Sequence, residues 1–154
     1  MNISYAGIEA LKRREGVVST MYRDTAGLPT IGVGHLLTKD ELTSGKLALS
    51  VDWHQGLTDA QIDELLRRDL DAAETAVATG VRVRLSSQQF DTLVSFAFNV
   101  GVTAFRQSTL VRLLNAGDYA AVPAQLRRWI YSAGQVDPIL VKRREDEARQ
   151  WASV

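Results

Sequence analysis

The residues of this sequence best suited to chemistry lie close together near its beginning. Glu15, Asp24 and Thr30 are separated by eight and five intervening residues, in the stretch EGVVSTMYRDTAGLPT. Two carboxyl groups on a tight hairpin can cleave a glycosidic bond, because one protonates the leaving oxygen while the other directs a water. A neighbouring hydroxyl can hold the same water from another side. The spacing therefore favours acid–base hydrolysis of a sugar polymer.

Each of these three residues also has a purely structural interpretation. Glu15 follows three basic residues and could lie on the surface, Asp24 could bond to its own turn, and Thr30 suits a strand. Glu15 does end the first predicted helix, where the negative end of the helix dipole favours a protonated carboxyl. A proton donor needs that protonated form, so the combination on one hairpin favours catalysis more than any single residue does.

The first 57 residues mix signals for helix and sheet. Ser4 can cap a first helix that runs to about Arg14. Residues 17–36 are rich in Gly, Thr and β-branched side chains, which predicts a hairpin or a three-stranded sheet. Residues 37–57 are irregular, with a possible short helix around Lys39–Gly45.

From residue 58 onward every predicted element is helical. The starts of these helices carry capping residues, namely Thr58 with Gln61, Ser86 with Gln89, Ser108, Asp118, and Asp137 before Pro138. We expect the helices to end near Gly80, Gly101, Leu114, Tyr131 and Trp151. The segment Phe90–Phe98 is apolar nearly all round, which predicts that its helix is the centre of the core.

These elements predict an α+β fold that is mainly helical, in a single domain of 154 residues. We expect a small β-containing N-lobe at about 12–57, a connecting helix at about 58–79, and an all-helical C-lobe at about 80–154. The N-terminal helix, residues 4–14, is expected to pack on the C-lobe. A cleft between two such lobes is a usual place for a ligand.

The composition is that of an ordinary soluble globular protein, with 45% apolar and 23% charged residues. No apolar run approaches the roughly 18 residues that suggest a membrane span. The N-terminus has no basic segment followed by an apolar core, so we expect neither a signal peptide nor an anchor. The absence of cysteine excludes disulfides and cysteine-based metal sites.

The net charge is zero but unevenly distributed. Residues 1–36 carry +1, residues 37–79 carry −5 and residues 80–154 carry +4. One interpretation is a set of solvated helix faces. The other is electrostatic steering of the basic C-terminal half toward an anionic polymer. The arginines form no recognised nucleic-acid-binding motif.

The hairpin segment continues into Ile31-Gly-Val-Gly-His35, and together they resemble the catalytic hairpin of the phage-type lysozymes, glycoside hydrolase family 24. Further segments fit the same family pattern: Ser95–Gly101, Phe105–Leu110, Leu114–Asp118, Arg128-Trp129, and Arg143-Arg144 with Glu147. The resemblance covers about residues 4–152, with residues 37–57 the least similar portion.

The resemblance implies a lysozyme-like fold and an endolysin muramidase that hydrolyses the β-1,4 bond between N-acetylmuramic acid and N-acetylglucosamine in peptidoglycan. Glu15 would donate the proton, while Asp24 and Thr30 would position a water on the opposite face of the sugar. No metal or cofactor is expected. The inverting geometry predicts a carboxyl separation of roughly 6.5–9.5 Å. The alternatives are a lytic transglycosylase and a non-catalytic cell-wall-binding protein on the same scaffold.

Other residues acquire roles through the same resemblance. His35 matches a histidine that pairs with an aspartate on the long helix, here Asp69, and this structural ion pair predicts a raised His35 pKa. Phe98 and Asn99 correspond to residues that line the sugar cleft. One of the adjacent residues Arg143 and Arg144 could pair with Glu15 and orient it.

The expected partners are peptidoglycan glycan strands, without nucleic acid and without stable membrane insertion. Nothing in the sequence demands more than a monomer. The resemblance implies a location in the host cytoplasm, followed by release through a holin-type lesion to the periplasm and cell wall during host lysis.

Overall fold

The computed structural model describes residues 1–47 and 50–153. The helices are α1 Tyr5–Glu15, α2 Lys39–Ser44, α3 Asp59–Gly80, α4 Ser87–Val100, α5 Val102–Arg106, α6 Thr109–Asn115, α7 Val122–Leu126 and α8 Pro138–Ala152. The strands are β1 Val18–Arg23, β2 Pro29–Gly32, β3 His35–Leu36, β4 Lys46–Leu47, β5 Val51–Asp52, β6 Tyr131–Ser132 and β7 Gln135–Val136. A 3₁₀ turn, Tyr119–Ala121, precedes α7. The predicted α+β, mainly helical architecture is confirmed.

The predicted capping residues begin the helices because their side chains satisfy backbone N–H groups that have no partner inside the helix. The Ser86 hydroxyl accepts from the Gln89 N–H while the Gln89 side chain accepts from the Ser86 N–H. The Thr58 and Gln61 pair repeats this reciprocal arrangement at the start of α3. Asp137 caps α8 by accepting from the N–H of Ile139 at 2.8 Å.

The sheet that carries the candidate residues is three-stranded and antiparallel, in the order β1-β2-β3. Thr30 lies in its middle strand, where it is opposite Tyr22 on one side and Leu36 on the other. This register confirms the sheet that the glycine-rich segment predicts. The short helix α2 follows the sheet, where the sequence predicts a possible short helix around Lys39–Gly45.

The chain separates into two compact units, one formed by residues 10–70 and the other by residues 1–9 with 71–154. The first unit buries apolar side chains of the sheet and of α3, among them Ile31, Val33, Ile62, Leu66 and Leu70. The second has α4 at its centre, where every side chain from Phe90 to Ala97 is buried. The apolar segment therefore forms the core helix that its composition predicts.

The segment after α7 differs from the prediction. The helix expected to run to Tyr131 ends at Leu126, and the chain then forms the β6–β7 hairpin. Ala133 and Gly134 join the two strands with φ of 50° and 78°, the left-handed pair that a two-residue hairpin turn requires. Alanine rarely adopts this conformation, so the sequence carries little signal for the turn.

Two further features have no counterpart in the prediction. They are the short helix α5 and the β4–β5 pair. Gly101, with φ of 95°, ends α4 and lets the chain turn directly into α5. In the part of the chain that the structure describes, no helix has both the length and the apolar character needed to span a bilayer.

Candidate active site

Asp24 lies at the head of the turn that joins β1 to β2. Its Oδ1 atom accepts from the backbone N–H of Ala26 at 2.9 Å and of Leu28 at 2.8 Å. The Asp24 N–H in turn donates to the carbonyl of Leu28 at 2.9 Å. Asp24 thus holds its own turn, as the structural interpretation expects, through one carboxylate oxygen. These backbone bonds do not involve the second oxygen, Oδ2.

Thr30 follows two residues after this turn and is only 2% exposed. Its hydroxyl donates to the Leu28 carbonyl at 2.9 Å. The proton of Thr30 is therefore directed to the backbone, and the oxygen retains lone pairs that can accept from a donor such as water. The Leu28 carbonyl accepts from the Thr30 hydroxyl, and the Leu28 N–H donates to the Asp24 carboxylate, so the backbone of one residue fixes both side chains.

Glu15 is the last residue of α1 and is half-buried. The helix ends there because Gly16 has φ of 79° and its N–H donates to the Lys12 carbonyl at 2.9 Å. The carboxyl lies beside the turn between β2 and β3, since a Cβ atom added to Gly34 would be 3.4 Å from Glu15 Oε2. A glycine at position 34 therefore leaves room for the carboxyl, and it also adopts the left-handed φ of 69°.

His35, which begins β3, lies between two carboxylates. Its Nδ1 atom is 2.8 Å from Asp69 Oδ2 on α3, and its Nε2 atom is 2.9 Å from Glu41 Oε1 on α2. Burial alone would lower the pKa of His35, but the hydrogen bonds and charges of Asp69 and Glu41 outweigh it and raise the pKa to about 9. The protonated imidazolium therefore ties one strand to two helices.

Glu41 is a site residue that the sequence reasoning missed. Its carboxylate accepts from His35 and from the Thr38 N–H, while the Thr38 hydroxyl accepts from the Glu41 N–H. Burial opposes ionisation of Glu41, but the Thr38 N–H and His35 together lower its pKa below the usual 4.5. The Thr-x-x-Glu spacing of a capping box was visible in the sequence and could have assigned Glu41 to the cap of the predicted short helix. The contact with His35 was not visible.

Phe98 and Asn99 lie near the end of α4, in the helical unit of residues 1–9 and 71–154. Phe98 is half-buried and Asn99 is exposed. The Asn99 amide oxygen accepts a hydrogen bond from the guanidinium of Arg144. This bond uses the amide oxygen of Asn99 and does not involve the N–H donors of its amide nitrogen, which belong to an exposed side chain.

Arg144 belongs to a buried ionic cluster centred on Glu147, which has no exposed surface. Glu147 accepts from Arg144 and from the Ser95 hydroxyl, the latter at 2.6 Å, and lies 3.5 Å from Arg143. Arg144 also donates to the Trp129 carbonyl at 3.0 Å. Breaking such a buried pair is strongly destabilising, so the cluster anchors α8 to α4.

The geometry supplies a buried hydroxyl, a carboxylate fixed beside it, and a half-buried carboxyl, all within residues 10–70. Such groups can move protons and hold a water. Among the residues that the structure describes, no group of three or more His, Asp or Glu side chains is arranged to hold a metal ion.

Comparisons with known proteins give a consistent result. Residues 12–147 match the family model described as phage lysozyme. The endolysin of Salmonella phage P22 is 39% identical over 149 residues, which cover 96% of this chain and 97% of that protein.

Solved structures agree in fold. The crystal structure of a single-site mutant of P22 lysozyme superposes with a TM-score of 0.83 at 38% identity, covering 99% of both chains. The muramidase domain of SpmX from Asticaccaulis excentricus gives a TM-score of 0.81 at 31% identity, again covering 99% of both chains.

Proposed function

The chain belongs to the phage lysozyme family, and we propose that it hydrolyses peptidoglycan with inversion of configuration at the anomeric carbon. Members of this family are glycosidases that act on peptidoglycan. The proposed scissile bond is the β-1,4 linkage between N-acetylmuramic acid and N-acetylglucosamine. In this scheme Glu15 is the general acid, Asp24 the general base, and Thr30 the second group that positions the attacking water.

One observation supports this assignment above all others. Leu28 holds both Asp24 and Thr30 through its N–H and its carbonyl. The bonds leave Asp24 Oδ2 and the lone pairs of Thr30 Oγ1 as acceptors, so a water can donate one proton to each. Its own lone pair then remains for attack on the anomeric carbon. Because the backbone fixes both acceptors before substrate arrives, little reorganisation is needed in the transition state.

Glu15 has the complementary role at the leaving group. Its carboxyl lies against Gly34 at the β2–β3 turn, at the C-terminal end of α1. Protonation of the glycosidic oxygen by Glu15 would accompany attack by the water that Asp24 deprotonates. The two carboxyl groups of an inverting enzyme stand roughly 6.5–9.5 Å apart, which leaves space for that water.

The remaining assignments follow from the same proposal. Phe98 and Asn99 would contact the glycan, with the Asn99 amide N–H groups donating to an acetamido or hydroxyl oxygen. His35 and Asp69 would have a structural role only, since their contacts are to each other and to Glu41. The enzyme would act as a monomer on the wall, after release from the host cytoplasm through a holin-type lesion.

The decisive experiment compares the wild-type protein with Glu15→Gln on purified peptidoglycan, by loss of turbidity and by analysis of the new chain ends. We expect reducing N-acetylmuramic acid ends from the wild type and no turnover from the variant, because a side-chain amide cannot donate the required proton. Nuclear magnetic resonance of the first-formed anomeric proton should show the α configuration. An unchanged thermal unfolding midpoint in Glu15→Gln is the control for folding.

The other outcomes identify the alternatives. Anhydromuramoyl ends would show a lytic transglycosylase, in which the muramic C6 hydroxyl replaces water. Glycan binding without turnover in the wild type would show a non-catalytic wall-binding protein. A first-formed β anomer would indicate a retaining mechanism and would remove the water from the first step.

A further inference from the structure

A pocket of about 550 Å³ opens on the helical unit of residues 1–9 and 71–154, and none of the residues assigned to catalysis lines it. Three segments form it: the C-terminal end of α3 with the residues after it, the end of α5 with its connection to α6, and α6 itself. Each segment contributes one exposed arginine, namely Arg82, Arg106 and Arg112. We refer to these residues with Asn115 as the arginine pocket.

Among the described residues, none of these three arginines has an acidic partner, whereas three other arginines of the same unit do. Arg127 bonds to Glu145, Arg149 to Asp146, and Arg144 to Glu147. By contrast, no carboxylate of the described residues lies within ion-pair distance of the arginines of the pocket. Three cations around one concavity repel each other, and an anion placed between them would relieve that repulsion.

The backbone around the pocket is rigidly held. Asn115 accepts from the Arg82 N–H at 2.7 Å and donates to the Gly80 carbonyl at 2.8 Å, which ties the end of α3 to α6. The buried Ser108 hydroxyl donates to the Phe105 carbonyl at 2.7 Å and accepts from the Val111 N–H. A frame that is ordered before binding lowers the entropic cost of holding a ligand.

The arrangement indicates the chemistry of the ligand. Guanidinium groups bind oxyanions through paired, charge-assisted hydrogen bonds. One arginine can satisfy a planar carboxylate, whereas three arginines from three segments suit successive phosphodiester groups of one polymer, each with two charged oxygens. A membrane surface is disfavoured, because no exposed large apolar side chain of the described residues lines the pocket.

We propose that the arginine pocket binds phosphodiester groups of an anionic cell-envelope polymer and so holds the enzyme near its substrate. Polymers of this class accompany the peptidoglycan on which the family acts. The site needs neither the catalytic residues nor cleavage, so it stands independently of the inverting mechanism proposed above.

The test is calorimetric titration of short poly(glycerol phosphate), which contains no glycosidic bond, into the wild type and into a triple variant. The variant combines Arg82→Gln, Arg106→Gln and Arg112→Gln. The matched control, Arg13→Gln with Lys39→Gln and Lys142→Gln, removes the same charge from exposed positions outside the pocket. We expect the pocket variant to bind at least about tenfold more weakly than the control, since one charge-assisted contact corresponds to about that factor.

Several results would overturn the proposal. They are equal affinities in the two triple variants, no binding by the wild type, equal binding of polyglutamate, and preferential binding to phosphatidylglycerol vesicles. Turnover of a short neutral glycan by the pocket variant should equal that of the wild type, which separates polymer binding from catalysis. All three arginine side chains are exposed, so unfolding midpoints close to that of the wild type are expected.

Discussion

Under the proposed mechanism, Asp24 combines two functions that the sequence alone presented as alternatives. One carboxylate oxygen holds the β1–β2 turn through Ala26 and Leu28, and the proposal assigns the other oxygen to a water. The two functions are compatible because a carboxylate has two oxygens with about four acceptor sites. The Thr30 hydroxyl divides its hydrogen bonds in a similar way, since it donates its proton to the Leu28 carbonyl while its lone pairs can still accept a hydrogen bond.

This division makes Asp24→Asn an informative variant. The amide oxygen can still accept from Ala26 and Leu28, so the turn and the unfolding midpoint should be retained. The neutral side chain can neither take a proton nor stabilise positive charge, so kcat should fall by roughly 10²–10³-fold. Steady-state kinetics on soluble glycan fragments measure this loss. Wild-type kcat in Asp24→Asn would exclude Asp24 as the base.

Thr30→Glu tests where the water lies. A carboxylate in place of the hydroxyl should occupy the water position and attack the anomeric carbon, which would leave a glycosyl adduct on the protein. Mass spectrometry after incubation with a slow substrate detects that adduct as an added saccharide mass. Thr30→Val, which removes the hydroxyl without adding a nucleophile, is the control. Absence of the adduct in a folded Thr30→Glu protein would contradict the proposed water geometry.

The sheet and the two helices beside it are joined by His35. The ring bonds to Asp69 on α3 and to Glu41 on α2, and the Trp53 indole N–H adds a bond to the Glu41 carbonyl at 2.9 Å. These contacts are made by partly buried side chains, where ion pairs are less screened than on the surface. The His35 ring therefore links three elements that are separated by loops in the sequence.

This linkage predicts that stability depends on pH. The pKa of His35 is about 9 in the folded protein and about 6.5 when unfolded, so its stabilising contribution is complete below about pH 6.5. The contribution declines as pH rises and is lost above about pH 9, with a total of about 3 kcal/mol. Urea unfolding across this range measures the decline. His35→Gln should show a flatter profile, and an equally steep one would contradict the linkage.

The molecule as a whole has zero net charge, with opposite excess charge in its middle and its C-terminal half. Residues 80–154 carry +4. Ion pairs such as Arg127 with Glu145 and Arg149 with Asp146 add no net charge, whereas the arginines of the pocket contribute to the excess. The C-terminal half is therefore basic although the protein as a whole is neutral. Electrostatic attraction to anionic wall polymers is therefore expected at low salt.

The dependence of activity on salt checks this expectation. Raising ionic strength from about 0.01 M to about 1 M shortens the Debye length from about 30 Å to about 3 Å. The KM for intact peptidoglycan should rise across this range, because screening weakens the attraction. Turnover of a short neutral glycan should hardly change. Parallel salt dependence for the two substrates would show that long-range attraction has no part in wall binding.

Local sequence signals were sufficient to predict most of the helix starts and the hairpin that carries the candidate site. The helix starts at Ser4, Thr58, Ser86, Ser108 and Asp137 were predictable because a cap and its backbone partner lie within three residues of each other. The site hairpin was predictable for a similar reason, since its two acids, its hydroxyl and its turn residues occupy one short stretch. Only the family resemblance, however, gave that stretch a specific reaction.

Contacts between distant residues required the folded chain. The bond from Ser95 to Glu147 and the arginine pocket join residues whose separation in sequence carries no periodic signal. The bond from His35 to Glu41 crosses from a strand to a helix, so neither periodicity predicts it. The hairpin at Ala133 was hidden for a different reason, because alanine rarely adopts the left-handed backbone that this turn requires. Short-range hydrogen bonding thus determined the elements, whereas burial and charge compensation determined which of them meet.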